Sequence, residues 1–361
     1  MSFPWPEPGT PLSDLVTPLP IIDEARVAAN ITRAQSYMDA HGLRFRPHIK
    51  THKLASVARA QMAAGAVGLN CQKLTEAEAF ADAGFDDLLI TYNILGPARL
   101  ARLAALNRRV ALTVCADSAE TVAGYAGAFS ADDPLSVMVE CDTGAGRCGV
   151  QTPAAAADLA ARIAAAPGLR FAGLLTYPAP GGAADVETFL TGAMALLKAA
   201  GIPCPQRSNG GSPDLWQAHL VGAATEHRAG TYVYNDRAMI RAGECGPDDL
   251  ALHLLATVVS RPTPARAVLD AGSKALSSDL LGFSDFGEIE GYPGARITQL
   301  SEEHGVVDLA GITGDGPRIG DQVRIIPNHC CVVSNLFDRV VFHRAGLVTR
   351  AEPLIARGTV F

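Results

Sequence analysis

The chain has 361 residues, 48% of them hydrophobic and 19% charged, with a formal net charge of −7. That length and apolar share suit one large domain or two domains with real cores, and the acidic balance argues against a nucleic-acid binder, which would show a basic patch. No apolar run approaches the roughly 20 residues of a membrane span, so no membrane partner is expected.

Residues 1–17 are Pro-rich and lack the apolar core of a signal peptide. The segment 18–23 reads as a β-run set apart from the barrel strands. After Asp23 an amphipathic stretch runs to about His41. Eight short apolar runs then alternate with Ala-rich helical segments. The runs cover 44–50, 66–71, 87–91, 110–115, 136–141, 171–176, 204–208 and 224–228. Helix formers fill 56–64, 76–83, 97–106, 153–165 and 185–200, and several open on start signals at Thr75, Gly96-Pro97, Ser118 and Thr152-Pro153. This alternation predicts parallel strands with covering helices, and eight in a row favour a closed (β/α)8 TIM-type barrel over 17–250. From 251 to 361 the Ala-rich helices give way to β-like runs at 252–260, 266–270, 295–300, 305–309, 322–327, 330–334 and 339–342, punctuated by Gly and Pro. A second, smaller all-β domain is predicted there, with 1–23 available to lend it a strand. The eight cysteines (Cys71, Cys115, Cys141, Cys148, Cys204, Cys245, Cys330 and Cys331) are scattered, mostly in apolar runs. They read as reduced, buried thiols of a cytoplasmic protein, the adjacent pair at 330 and 331 excepted.

Several constellations fall where a barrel would place its mouth. In RFRPHIK the strand alternation puts Arg46, His48 and Lys50 on one inward face, with Lys50 last. Neighbouring cations Arg46, His48 and Lys53 would disfavour the ammonium form, leaving a free amine of the kind Schiff-base chemistry requires, and His48 is a candidate to contact a cofactor held there. A solvated basic edge or a phosphate-contacting patch is the alternative. After the seventh run, Ser208, Gly210, Gly211 and Ser212 precede a helix start, at the place where barrels often bind phosphate; an ordinary turn is the competing reading. The Gly-rich loop 141–149 could aim Arg147 at an anionic group, and Tyr177 closes the sixth run, where its ring could contact a planar cofactor or simply pack. Near the end, His329 and Cys331 would share one face of a strand while Cys330 points away. One nitrogen and one sulfur ligand suit an open Zn²⁺ position; a buried histidine beside two apolar cysteines is the plainer reading.

Taken together, 46–53, Cys71-Gln72-Lys73 with Glu76-Ala77, 142–149, Gly210-Gly211-Ser212, 229–232, 270–272, 303–305 and His329-x-Cys331 carry a resemblance. The chain resembles fold-type III pyridoxal-phosphate enzymes of the D-threonine aldolase and D-serine dehydratase group, from about Thr17 onward. The resemblance implies that Lys50 holds pyridoxal 5'-phosphate through its amine, and that Gln72, Arg147 and Tyr177 surround the ring. It implies that Ser208, Gly210, Gly211, Ser212 and Tyr232 form the phosphate side. His329 and Cys331 would hold a divalent ion (Zn, or Mn/Mg) beside the β-hydroxyl of a small D-amino acid, in a homodimer. The implied activity is aldol cleavage of a D-β-hydroxy-α-amino acid, with D-serine-type dehydration and non-catalytic cofactor binding as alternatives. Two departures stand out. His-x-Cys is the dehydratase arrangement where aldolases carry His-x-Asp, and Pro178 follows Tyr177 where aldolases have histidine.

Overall fold

The computed structural model describes residues 5–361. The chain packs as two compact units. A barrel unit holds 33–50, 55–230 and 359–361, and a β unit holds residues up to 32, 51–54 and 231–358. The division falls at Gly230 and Thr231 rather than at 250 and 251. Residues 231–250 are tied into the β unit by backbone and amide bonds: Asn30 Nδ2 to Val233 O (3.3 Å) and to Asp249 O (2.8 Å), and Ala251 N to Tyr234 O (2.7 Å).

Strand β1 (Leu19–Asp23) and helix α1 (Glu24–Ala40) lead into the barrel unit. Its strands are β2 (Arg44–Phe45), β3 (Leu69–Cys71), β4 (Asp87–Ile90), β5 (Ala111–Ala116), β6 (Leu135–Cys141), β7 (Leu169–Thr176), β8 (Gln206–Asn209) and β9 (Glu226–His227). They pair in parallel in the order β2-β9-β8-β7-β6-β5-β4-β3. The ring closes beside β2: Val67 N donates to Phe45 O and Asn70 N to Pro47 O, both at 2.9 Å, and His48 forms a parallel bridge with Asn70. Helices α2 (Ala55–Ala64), α3 (Leu74–Asp82), α4 (Pro97–Asn107), α5 (Ala119–Ala128), α6 (Pro153–Ala165) and α7 (Ala183–Ala199) alternate with the strands. Their starts follow local chemistry. Ser118 and Thr152 accept from the N–H groups of Thr121 and Ala155, and Pro97 occupies the first turn after Gly96. Helix α6 buries Ala156, Leu159, Ala160 and Ile163, the stripe a 3.6-residue repeat demands.

The expected strand at 44–50 is shorter than its sequence suggests. It ends at Phe45, and Ile49–Thr51 form a 3-10 turn that carries Lys50. Arg46 and His48 still run beside β9, donating N–H bonds to His227 O (3.0 Å) and Ala229 O (2.8 Å). Pro47 has no N–H to give to a ladder, and Ile49, fully buried, turns inward.

The β unit adds a short helix, α8 (Arg237–Arg241), and eight strands: β10 (Leu252–Thr263), β11 (Arg266–Leu269), β12 (Gly287–Ile289), β13 (Arg296–Leu300), β14 (Gly305–Asp308), β15 (Gln322–Pro327), β16 (Arg339–Arg344) and β17 (Leu347–Pro353). Strands β10, β11, β14, β13, β12 and β15 pair into a closed antiparallel ring, and β1, β16 and β17 extend it from β10. The local sequence pattern does not reveal β12 or β17. It also suggests a strand at 330–334, where the structure has a helix, α9 (Cys330–Leu336). The Cys-Cys-Val-Val run has β character, yet Asp236 Oδ2 accepts the Cys330 N–H at 3.0 Å, and Cys330, Val333 and Ser334 are buried at helical spacing.

Among the described residues no helix is long and apolar enough to cross a membrane. All eight cysteines are free. Cys148 is exposed and Cys204 and Cys245 are half-buried, so the expectation of burial holds for three of the six cysteines it covered; of the excepted pair, Cys330 is buried and Cys331 half-buried.

Candidate active site

Inside the barrel Arg46 is matched by acidic partners. Arg46, 6% exposed, places Nε 3.1 Å from Glu226 Oε2 and its guanidinium 2.6 Å from Asp87 Oδ1. Glu226 also accepts from Ser208 Oγ (2.6 Å) and Gln206 Nε2 (2.8 Å). Burial would raise its pKa, but Arg46 and Ser208 hold it below the usual carboxylate range. Arg228 donates to Thr176 O at 2.7 Å, and burial lowers its pKa to about 10. Two expectations change here. Arg46 is neutralised and does not crowd Lys50, and Ser208 spends its hydroxyl on Glu226 in the barrel interior rather than on the Gly-rich loop. Lys53, the other expected neighbour of Lys50, belongs to the β unit, where Nζ donates to Asn335 Oδ1 at 2.8 Å.

Lys50 Nζ lies 3.5 Å from Gln72 Oε1. The same oxygen accepts from His48 Nε2 at 3.1 Å, while His48 Nδ1 receives the Lys50 backbone N–H at 3.4 Å. His48 is therefore the neutral Nε2–H tautomer in this arrangement. The Gln72 amide is oriented because Nε2 donates to Thr91 O (2.9 Å), which turns its carbonyl toward Lys50, and its backbone N–H is held by Glu76 Oε2 (2.6 Å). Glu76 is almost fully buried at the start of α3. Sequence reasoning placed Gln72 only by resemblance and gave Glu76 no role of its own; an acid two residues into a helix is a readable start signal, but its partner is not.

The loop after β6 is folded by Asp142, whose Oδ1 accepts from Gly144 N (3.0 Å) and Gly146 N (3.1 Å). It carries Arg147, exposed, with its guanidinium 4.7 Å above the Tyr177 ring. Tyr177 in turn lies against Gly211: a Cβ there would sit 2.7 Å from Cε2 of the ring. Gly210 is pressed onto the next strand, with φ +136 and space for a Cβ denied by Arg228 O at 2.4 Å. Ser212 is buried and accepts the Gly230 N–H at 3.1 Å. The expected helix beyond this loop is a six-residue 3-10 segment, Leu215–Leu220, too short to act as a dipole. His227, which no sequence motif singles out, lies under the loop with Nε2 3.1 Å from Gly211 O.

In the β unit, Asp236 is fully buried and caps α8 through Met239 N at 3.0 Å. Its other oxygen lies 3.1 Å from His329 Nδ1. That bond fixes the ring so that Nε2 is the outward nitrogen, the usual arrangement of a metal-ligating histidine. Cys331 Sγ sits 3.1 Å from Thr51 Oγ1 and 3.8 Å from Thr231 Oγ1. The neighbouring Cys331 charge, with Asp236, raises His329 to about 11 against the effect of burial. His329 and Cys331 are brought together as expected, but as the cap and second residue of a helix rather than alternate residues of a strand. Among the described residues no three His, Cys, Asp or Glu side chains gather at metal-binding spacing. The donor set, one imidazole backed by a carboxylate and one sulfur, fits an open site for a borderline-soft ion. Tyr232 is buried in a 3-10 turn, Thr231–Val233, of the same unit.

A closed parallel barrel with a lysine at the ends of its strands, followed in sequence by an antiparallel domain, defines an alanine racemase-type architecture. Residues 22–238 match the family described as "Alanine racemase, N-terminal domain" and 251–343 match "Putative serine dehydratase domain". The chain belongs to the D-threonine aldolase and D-serine dehydratase family. It is 34% identical to D-threonine aldolase of Arthrobacter sp., over 98% of this chain and 95% of that one. The structure of D-threonine aldolase from Filomicrobium marinum superposes with a TM-score of 0.92 at 32% identity, over 99% and 100% of the two chains. That of D-threo-3-hydroxyaspartate dehydratase from Delftia sp. HT23 gives 0.85 at 34% identity, over 95% and 98%.

Proposed function

We propose that the chain is a pyridoxal-phosphate- and divalent-metal-dependent lyase of D-threonine aldolase type, cleaving D-β-hydroxy-α-amino acids to glycine and an aldehyde. Lys50 carries the reading. Of five lysines, Lys53 is held by Asn335, Lys73 lies over the Tyr92 ring, Lys274 pairs with Glu302 and Glu303, and Lys198 sits in the last turn of α7. Lys50 presents its amine to the Gln72 carbonyl at the barrel's strand ends, and the same carbonyl is shared with His48. Lys50 would hold the cofactor through Nζ, with Gln72 aiming that amine and His48 keeping its neutral tautomer beside it. Gly210, Gly211 and Ser212 would hold the phosphate, and Tyr177 with Arg147 would line the ring. Pyridoxal phosphate, when bound, supplies an electron sink for the bond broken at Cα. His329 and Cys331 would hold the divalent ion, which supplies Lewis acidity at a hydroxyl. A metal role is supported by the Asp236–His329 bond and by the relative described as a cysteine-to-alanine D-threo-3-hydroxyaspartate dehydratase "in the metal-free form". A cytoplasmic homodimer is the accompanying expectation, from the resemblance and from eight free thiols.

A second reading, β-elimination to a 2-oxo acid and ammonia, is favoured by Cys331 at the metal pair and by Pro178, which cannot serve as a base, after Tyr177. D-threonine separates the two. Acetaldehyde with glycine is expected; 2-oxobutyrate with ammonia would replace aldol cleavage by dehydration, and no turnover of a protein loaded with cofactor and metal would remove both.

A further inference from the structure

We infer that His227 is a positioning residue for phosphate binding: its Nε2–H pins the Gly211 carbonyl and so holds the Gly210–Ser212 loop in the conformation that receives the cofactor's phosphate. The inference rests on the assignment of that loop in the proposed function. His227 ends β9, directly opposite Asn209 at the end of β8, and is 2% exposed. Its hydrogen-bonding neighbour along Nε2 is a carbonyl oxygen, which can only accept, so Nε2 bears the proton. Nδ1 is then a bare lone pair, buried with no partner among the described residues, and Asn209 Oδ1 beside it in the register is buried and unpartnered as well. A histidine serving only to fill space would be replaced there by an apolar ring without leaving such an atom orphaned. The contact is tight on both sides: a Cβ on Gly210 would come 3.0 Å from His227 Cε1, and one on Gly211 would meet Tyr177 at 2.7 Å. The loop is thus gripped between the His227 imidazole below and the Tyr177 ring, and the grip on its carbonyl is the directional one. Burial lowers His227 to about 4, so the ring stays neutral and keeps this tautomer through the physiological range.

Pyridoxal phosphate and pyridoxal, which lacks the phosphate, separate a role at the loop from a role in the fold. Both are titrated into the wild-type protein, His227→Phe and His227→Gln, with thermal melting of each variant recorded. His227→Phe should bind pyridoxal phosphate on the order of three- to tenfold more weakly, the worth of one hydrogen bond, and bind pyridoxal unchanged. His227→Gln, which restores an N–H at the same reach, should recover most of the loss. Equal weakening for both ligands, unchanged binding of both, or no recovery in His227→Gln each overturns the inference. If His227→Phe fails to fold, His227→Asn, whose amide is too short to reach the Gly211 carbonyl, takes its place: weaker pyridoxal phosphate binding with pyridoxal binding unchanged supports the pin, and affinity for both within about twofold of wild type, less than the loss of one hydrogen bond, overturns it. A wild-type protein that binds neither ligand fails at the earlier step, the cofactor assignment itself.

Discussion

The barrel unit and the β unit orient their reactive groups with different partners. In the barrel, the Lys50 amine is met by the carbonyl oxygen of Gln72 and its backbone N–H by the neutral ring of His48, while Arg46 is matched by buried Glu226 and half-exposed Asp87. In the β unit a buried carboxylate stands in the site itself, bonded to His329 with Cys331 alongside. The difference reflects the task of each group. An amine that attacks a carbonyl must be deprotonated, and a carboxylate at hydrogen-bond distance would hold it as ammonium. A histidine that binds a cation gains basicity and a fixed tautomer from a carboxylate behind it.

The largest expected effect is that of Lys50→Ala, which should reduce turnover to background and abolish cofactor attachment. Borohydride reduction followed by peptide mapping checks it, and label on Lys53 would reverse the assignment of the two amines. Next, Gln72→Glu places in the barrel the kind of group the β unit uses. The amine should then titrate about one to three units higher, and the pH–rate profile should move to higher pH by that amount; an unmoved profile means that Gln72 does not aim the amine. The reverse exchange, Asp236→Asn, should weaken metal binding on the order of 10–100-fold while leaving cofactor absorbance intact, as read by competition with a chelator. Cys331→Ala should match the chelated protein. Cys330→Ala, at a fully buried position, should cost about 1 kcal/mol of stability with metal affinity preserved.

The smallest effect sharpens the comparison at the level of stability. The β unit also buries His253, whose Nε2 makes no hydrogen bond among the described residues, and burial lowers its pKa to about 4 against 6.5 for a free histidine. Between those values the unfolded chain binds a proton that the folded chain refuses, so stability falls as pH drops from 6.5 toward 4. Denaturant unfolding at about pH 7 and about pH 5 should differ by about 2 kcal/mol from this residue, and His253→Gln should reduce the difference by about that amount, leaving the contribution of His227, lowered likewise.

Much of this was legible in the residues. The alternation of apolar runs with Ala-rich segments pointed to the barrel, because each strand there is buried on both faces and each helix needs one apolar stripe. The positions of Lys50, Gly211, His329 and Cys331 were legible as residue types at strand ends. Long-range pairing escaped. Nothing near Ser208 announces that Glu226 will claim its hydroxyl, or near Arg46 that Asp87 and Glu226 will neutralise it. The helix at Cys330–Leu336 was hidden for the same reason: its first N–H is capped by Asp236, far back in the sequence, and local β character was overridden. His227 and Glu76 act through backbone atoms of loops, and although an acid at a helix start is readable, the backbone partner of neither residue is.

The place of β1 has a consequence for how the protein is made. Its register joins Leu19 to Leu255 on one side and Ile21 to Val341 on the other. The strand therefore emerges from the ribosome with neither partner in existence, and stays unpaired while the whole barrel is synthesised. Assembly of the β unit waits for the final strands, a long-range closure that is slow by its topology. Throughout that interval the apolar edge of residues 19–22 is exposed to other nascent chains.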